Sequence, residues 1–179
     1  SFLNCYCTAN SQFGTSGLFY GVISNVTFNA LNNSSSAPGA SPYYTNYAPI
    51  GTPVDQGSPY NLSVTLPQYG QAGVWFDWNQ NGIFESTEFT FMGNNTSNVS
   101  ATYTQTITVP ATATPGVTRM RVRSEAYFYA NLLGTQACGL TNYGETEDYE
   151  LTVIVPAPCT GTPAPGNTTA SATSVCPGT

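Results

Sequence analysis

Apolar and polar residues alternate along most of this chain, in short runs separated by turn-forming residues, and apolar positions nowhere recur at helical spacing. Residues 60–66 (YNLSVTL) put Tyr60, Leu62, Val64 and Leu66 on one side of an extended segment. Residues 102–109 (TYTQTITV) likewise set Tyr103, Gln105, Ile107 and Val109 against a row of threonines. Residues 19–28 (FYGVISNVTF) read as a strand, and 29–42, rich in Asn, Ser, Pro and Gly, as the loop after it. GVWFDW at 73–78 is nearly continuous in apolar residues, the mark of a buried strand. A strand at 89–92 follows it. PATATPG at 110–116 turns the chain into VTRMRVRS (117–124), and EDYELTVIV (147–155) is the last strong strand. Seven to nine short strands so spaced predict an all-β fold, an antiparallel β-sandwich of immunoglobulin or jelly-roll kind. The sandwich is assigned to 1–155. From Pro156 the chain loses its aromatic residues, so 156–179 reads as a Pro/Thr/Ser-rich linker running into the first strand of a following domain.

Charge narrows the function. Of 179 residues only 7% are charged, against a usual ~25%. Three of these are arginines, nine are carboxylates, and the net charge is −6. Without a basic patch, nucleic acid and anionic membrane surfaces are not expected partners. No apolar run approaches the ~18 residues of a membrane span, so membrane insertion is not expected either. The chain has no histidine, which removes His-based triads and the commonest transition-metal ligand. Five cysteines (Cys5, Cys7, Cys138, Cys159, Cys176) form no CxxC pair, so disulfides are a better reading than zinc, and an extracellular setting suits both them and the low charge. Several pairings are open. The spacing of Cys159 and Cys176 allows a small loop closure, and the odd count leaves one thiol for a partner beyond the chain. Triplets of the N-x-S/T kind at Asn25, Asn33, Asn61, Asn95, Asn98 and Asn167 are common in so Asn-, Ser- and Thr-rich a sequence and carry little weight for glycosylation.

Two segments carry candidate chemistry. Residues 77–88 meet the calcium-loop pattern D-x-[DN]-x-[DN]-G-x5-E without a departure. In that loop chemistry Asp77, Asn79 and Asn81 supply side-chain oxygens and Gly82 makes the sharp turn. Ile83 offers its carbonyl, Glu85 acts directly or through water, and Glu88 closes the site with two oxygens. An Asn81-Gly82 hairpin turn is the simpler alternative. The second segment, 144–150, holds Glu145, Glu147, Asp148 and Glu150, four of the nine carboxylates. Paired carboxylates admit a glycosidase using two of Glu145, Glu147, Asp148 and Glu125. A cross-strand ladder is favoured instead. Arg119, Arg121 and Arg123 alternate along one strand, so an adjacent strand would place Glu145 and Glu147 against them, with Met120 and Val122 facing the core. Glu147 or Asp148 is also a candidate extra calcium ligand.

Tyr6-Cys7, VWFDWNQNGIFE (74–85), TVPATATPGVTRMRVR (108–123), ACG (137–139) and YGETEDYEL (143–151), taken in order, resemble the GEVED domain of bacterial secreted proteins. The naming motif reads Gly144-Glu145-Thr146-Glu147-Asp148 here, with Thr146 where the usual residue is Val. The resemblance implies a β-sandwich module of large extracellular, surface-attached or type IX-secreted multidomain proteins, found beside proteases, adhesins and immunoglobulin-like repeats. It also implies pairing of Cys7 with Cys138. Cys159 with Cys176 is then the next pair and Cys5 the thiol left over. The tail resembles the opening of an immunoglobulin-like repeat.

The expected function is therefore a non-catalytic extracellular module, secreted or attached to the cell surface. Calcium and disulfides would stiffen it for adhesion, surface display or filament assembly. Its expected partners are other domains of the same precursor, further copies of itself, and a glycan or cell-surface ligand. A carbohydrate-binding module delivering an attached enzyme is the alternative. It would use exposed aromatic residues among Tyr43, Tyr44, Tyr47, Tyr127, Phe128 and Tyr129.

Overall fold

The computed structural model describes residues 6–12, 20–35 and 41–157. Its strands are β1 (Ala9–Gln12), β2 (Asn25–Phe28), β3 (Leu31–Ser34), β4 (Tyr44–Asp55), β5 (Pro59–Leu66), β6 (Gly70–Phe76), β7 (Phe89–Asn95), β8 (Ala101–Thr108), β9 (Gly116–Ala126), β10 (Gly139–Asn142) and β11 (Thr146–Ile154). One sheet runs β3-β2-β5-β8, a second β4-β11-β9-β6-β7, and β1 pairs with β10 alone. The two larger sheets close on one core. Val26, Phe28, Leu62, Val64, Leu66 and Ile107 come from the first; Val74, Phe76, Met120, Val122, Tyr149 and Leu151 come from the second. The alternation read from 60–66 and 147–155 produces this, because every second residue of a strand reaches the same face.

β6 is buried along its whole length, as its unbroken apolar run requires. Val74 and Phe76 enter the main core. Trp75 points the other way, into a small cluster with Phe84, Ala137, Tyr6 and Phe89. That outer face is covered by the segments around β1 and β10. The indole of Trp75 donates to the Gly134 carbonyl at 2.7 Å, and the disulfide Cys7–Cys138 joins the two covering segments across 131 residues. The pairing implied by the family resemblance is thus the one formed.

The expectation needs three corrections. Eleven strands are present among the described residues, not seven to nine, and β1–β10 and β4–β11 are parallel rather than antiparallel. The expected loop at 29–42 contains β3, which Asn29 at φ 50° turns back onto β2, and the strand expected over 19–28 is only Asn25–Phe28. β4 was hidden by Pro49 and Pro53. Proline cannot donate to a ladder, but β4 lies at a sheet edge, where proline is tolerated. The Cys159–Cys176 closure, Cys5 and positions 158–179 of the expected linker lie outside the described residues.

Candidate functional site

The loop at 77–88 begins where β6 ends, so the buried strand fixes its first residue. Asp77 is fully buried. Its carboxylate accepts the backbone N–H of Asn81 at 3.1 Å and of Gly82 at 3.0 Å, and the Tyr6 hydroxyl at 2.6 Å. Asn79 Oδ1 accepts from Asn81 N at 3.0 Å and Asn81 Oδ1 from Ile83 N at 2.8 Å, side-chain turns that wind the loop one step at a time. Gln80 and Gly82 take positive φ, 58° and 81°, to close it. The amides of Asn79 and Asn81 then donate to the two oxygens of Glu85, at 3.0 and 3.2 Å. Glu88 accepts Trp78 N at 2.8 Å and Glu85 N at 3.2 Å, and burial pushes its carboxyl up from the ordinary range.

Asp77, Asn79, Asn81 and Glu85 are therefore joined in one hydrogen-bonded ring, and Glu88 fastens the loop's two ends. Carboxylate and amide oxygens with a neighbouring backbone carbonyl are the donors a hard cation takes, so the residues present fit calcium. Among the described residues no three carboxylates or thiols converge as they would on an all-anionic metal centre. Sequence reasoning did not include Tyr6 in this loop. Its ring stacks on Phe84 at 4.9 Å and lies under the Arg119 guanidinium at 4.7 Å, and burial beside Asp77 pushes its hydroxyl well above the usual tyrosine range.

The acidic cluster divides by strand parity. On the outer face of β11, Asp148 accepts from Arg121 at 2.7 and 2.8 Å, from Arg119 at 3.3 Å and from the Tyr44 hydroxyl at 2.9 Å. Arg121 also donates to the Cys7 and Ala137 carbonyls, both at 3.0 Å. Arg123 turns its guanidinium to the carbonyls of Gln136, Cys138, Asn10 and Gly139. Burial, with Arg121 nearby, lowers its pKa to about 10. On the inner face, Glu147 accepts from the Tyr149 hydroxyl at 2.7 Å and Glu145 accepts the backbone N–H of Ile23. Burial raises Glu147 to about 7; burial and the charge of Glu147 raise Glu145 to about 8.

The expected ladder is thus real for Arg119 and Arg121 but rests on Asp148. Glu145 and Glu147 belong to the opposite face, where they fasten β11 to the neighbouring sheet. A parity signal was present in the sequence: Tyr149, Leu151 and Val153 inward require Asp148 outward, beside arginines that flank inward Met120 and Val122. For the same reason neither Glu147 nor Asp148 joins the 77–88 loop. One points into the inter-sheet layer and the other is held by two guanidinium groups.

A third cluster gathers at the end of the sandwich where β6 begins. Tyr20 meets the rings of Tyr69, Tyr127, Phe128 and Tyr143 at 5.5, 6.4, 5.8 and 6.4 Å, and Phe128 remains 52% exposed. Tyr44 and Tyr47 lie elsewhere; Tyr47 stacks on Tyr149 at 5.3 Å.

With this geometry in place, comparison with known proteins gives one family. The GEVED domain model matches residues 71–152, from β6 to β11, a stretch that contains both the 77–88 loop and the acidic cluster. No curated protein matches the chain.

Proposed function

We propose that this chain is a non-catalytic module of an extracellular protein, secreted or attached to the cell surface, stiffened by calcium at 77–88. It serves in adhesion, surface display or filament assembly. The observation that carries the reading is the withdrawal of the acidic cluster from solvent. Glu145, Glu147 and Asp148 are 2%, 1% and 0% exposed, and each already accepts hydrogen bonds within the fold. A general acid or base must come within hydrogen-bond reach of a substrate atom, and the burial of these groups with their oxygens already paired supports a structural role. Glu125, the fourth carboxylate a glycosidase would draw on, is 5% exposed and accepts the Asn142 N–H. The cluster reads as structure.

Calcium would draw on Asp77, Asn79, Asn81, the Ile83 carbonyl, Glu85 and Glu88, and would relieve the repulsion among three carboxylates in one loop. With two amides in the set, affinity belongs near the ~10⁻⁴–10⁻³ M of extracellular modules. Partners in this reading are neighbouring domains of the same precursor, other copies of the chain, and a cell-surface ligand. The disulfide supports an oxidising compartment.

The test is thermal unfolding in millimolar calcium and then in excess EGTA, with Glu88→Ala alongside. A calcium-dependent rise in melting temperature, lost in the variant, is expected; a melting temperature indifferent to calcium overturns the calcium part.

The aromatic end supports a second reading, a carbohydrate-binding module. An exposed Phe128 ringed by tyrosines can stack on a sugar face. Retention on insoluble polysaccharide, abolished by Phe128→Ala, would favour it.

A further inference from the structure

The two main sheets have four edges, and three of them carry a feature that discourages strand addition. β3 is four residues long. β4 contains Pro49 and Pro53. β7 bulges against β6, with Met92 as the extra residue between the pairs Ala72–Gly93 and Gly73–Phe91. Short length, proline and bulges are the usual means of blunting an edge. β8 has none of them. Its eight residues pair with Pro59–Leu66 of β5 in one unshifted register, and among the described residues β5 is its only ladder partner. It contains no proline and no charge.

The distribution of charge points the same way. The strands of the β3-β2-β5-β8 sheet (LNNS, NVTF, PYNLSVTL and ATYTQTIT) hold no charged residue, and none occurs from Phe89 to Thr118. All of the −6 net charge sits on the other sheet, its connections and the 77–88 loop. Two copies of an acidic protein repel least when they approach through this neutral sheet.

The outer face of β8 shows what would meet there. Thr102, Thr104, Thr106 and Thr108 are exposed, and the first three already make side-chain bonds with β5: Thr65 to Thr102 at 2.8 Å, Ser63 to Thr104 at 2.7 Å, and Thr106 to Asn61 at 3.1 Å. In an antiparallel pair, residues set opposite each other share a face. A β8–β8 pair in which threonine meets threonine repeats the same rung, with neither charge nor bulk to oppose it.

We propose that the free edge of β8 binds β8 of a second copy of this chain, antiparallel across a two-fold axis, so that two four-stranded sheets become one of eight strands. Such an isologous contact closes after two copies, so it is a pairing device rather than a filament repeat. The inference gives the self-association named above a surface and is independent of the calcium loop. Running the experiment in calcium and in EGTA keeps the two separable.

The experiment is sedimentation equilibrium of the full chain from micromolar to sub-millimolar concentration, with Gln105→Lys and Gln105→Glu. In the register that sets Thr104 against Thr106, Gln105 falls on the two-fold opposite its own copy. It pairs with Leu62 and is exposed, so either charge is tolerated in the monomer but is set against its like across the two-fold. The wild-type mass should rise with concentration toward twice 18.9 kDa. Each variant alone should associate about tenfold more weakly or worse at an unchanged melting temperature, and an equimolar mixture of the two should recover it. Hydrogen exchange should show β8 amides gaining protection as concentration rises. A chain that stays monomeric throughout, or a dimer indifferent to both substitutions with β8 unprotected, overturns the proposal.

Discussion

Asp148 and Arg121 stand directly opposite each other on β11 and β9, and two nitrogens of the guanidinium meet two oxygens of the carboxylate at 2.7 and 2.8 Å with almost no exposure on either side. A buried pair of this kind is weak evidence of net stabilisation, because desolvating both ions opposes their attraction. Breaking it is another matter. Asp148→Asn would leave Arg121 and Arg119 in the interior without their carboxylate, and the expected loss is about 3–5 kcal/mol by urea unfolding. The double change Asp148→Leu with Arg121→Met should recover part of this. The recovery is incomplete because the Cys7 and Ala137 carbonyls lose their donor. A single variant as stable as the wild type would contradict the account.

On the other face of β11 the expected effect is one of pH. Glu145 and Glu147 titrate at about 8 and about 7 in the fold, against an ordinary 4.5. Between those values the native chain holds protons that the unfolded chain has released, so stability falls as pH rises. It is fully present below the unfolded value and is lost through the folded ones. Ser35 Oγ lies 2.8 Å from both Glu147 Oε1 and the Ile23 carbonyl. The Ser35 and Tyr149 hydroxyls donate to Glu147 and oppose the upward push of burial, which remains the larger effect. The melting temperature should therefore decline from about pH 5 to about pH 8, and Glu145→Gln or Glu147→Gln should flatten the slope. A rise with pH over that range would be the contrary result.

Strand parity was legible from the sequence. Leu62 and Val64 face the core as read, as do Met120 and Val122, and Asp77 heads the loop its motif describes. What could not be read was which strands meet. The sequence alone does not indicate that β4 lies parallel to β11, because Pro49 and Pro53 mask its extended backbone and partner choice depends on burial across the whole sheet. Parity along β11 does tell Glu147 from Asp148, and the β11–β9 register then sets Asp148 opposite Arg121. Tyr6 was missed for a similar reason: it is 71 residues from Asp77 in sequence, and only the covering segment brings them together.

The disulfide Cys7–Cys138 does more than close a long loop, because the carbonyls of both cysteines accept from the buried arginines, Arg121 and Arg123. On the chain-entropy account alone, reduction should cost roughly 5 kcal/mol. The expected outcome is a lower urea midpoint in reductant, reproduced by Cys7→Ser. A midpoint indifferent to reductant would mean the covering segments hold the outer face without the crosslink.

Asn81→Asp gives opposite expectations with and without calcium. Asn81 donates through Nδ2 to Glu85 Oε1 at 3.2 Å, and its own Oδ1 accepts the Ile83 N–H at 2.8 Å. An aspartate keeps the acceptor but loses the donor, and it adds a charge beside Asp77 and Glu85. In EGTA the variant should melt below the wild type, since a hydrogen bond to Glu85 has become a repulsion. In calcium a further carboxylate among the ligands should tighten binding by roughly an order of magnitude, read by titration calorimetry, and the melting order should reverse. A variant less stable in both buffers, with no gain in affinity, would show that 77–88 is held by its own hydrogen bonds and that calcium plays no part in it.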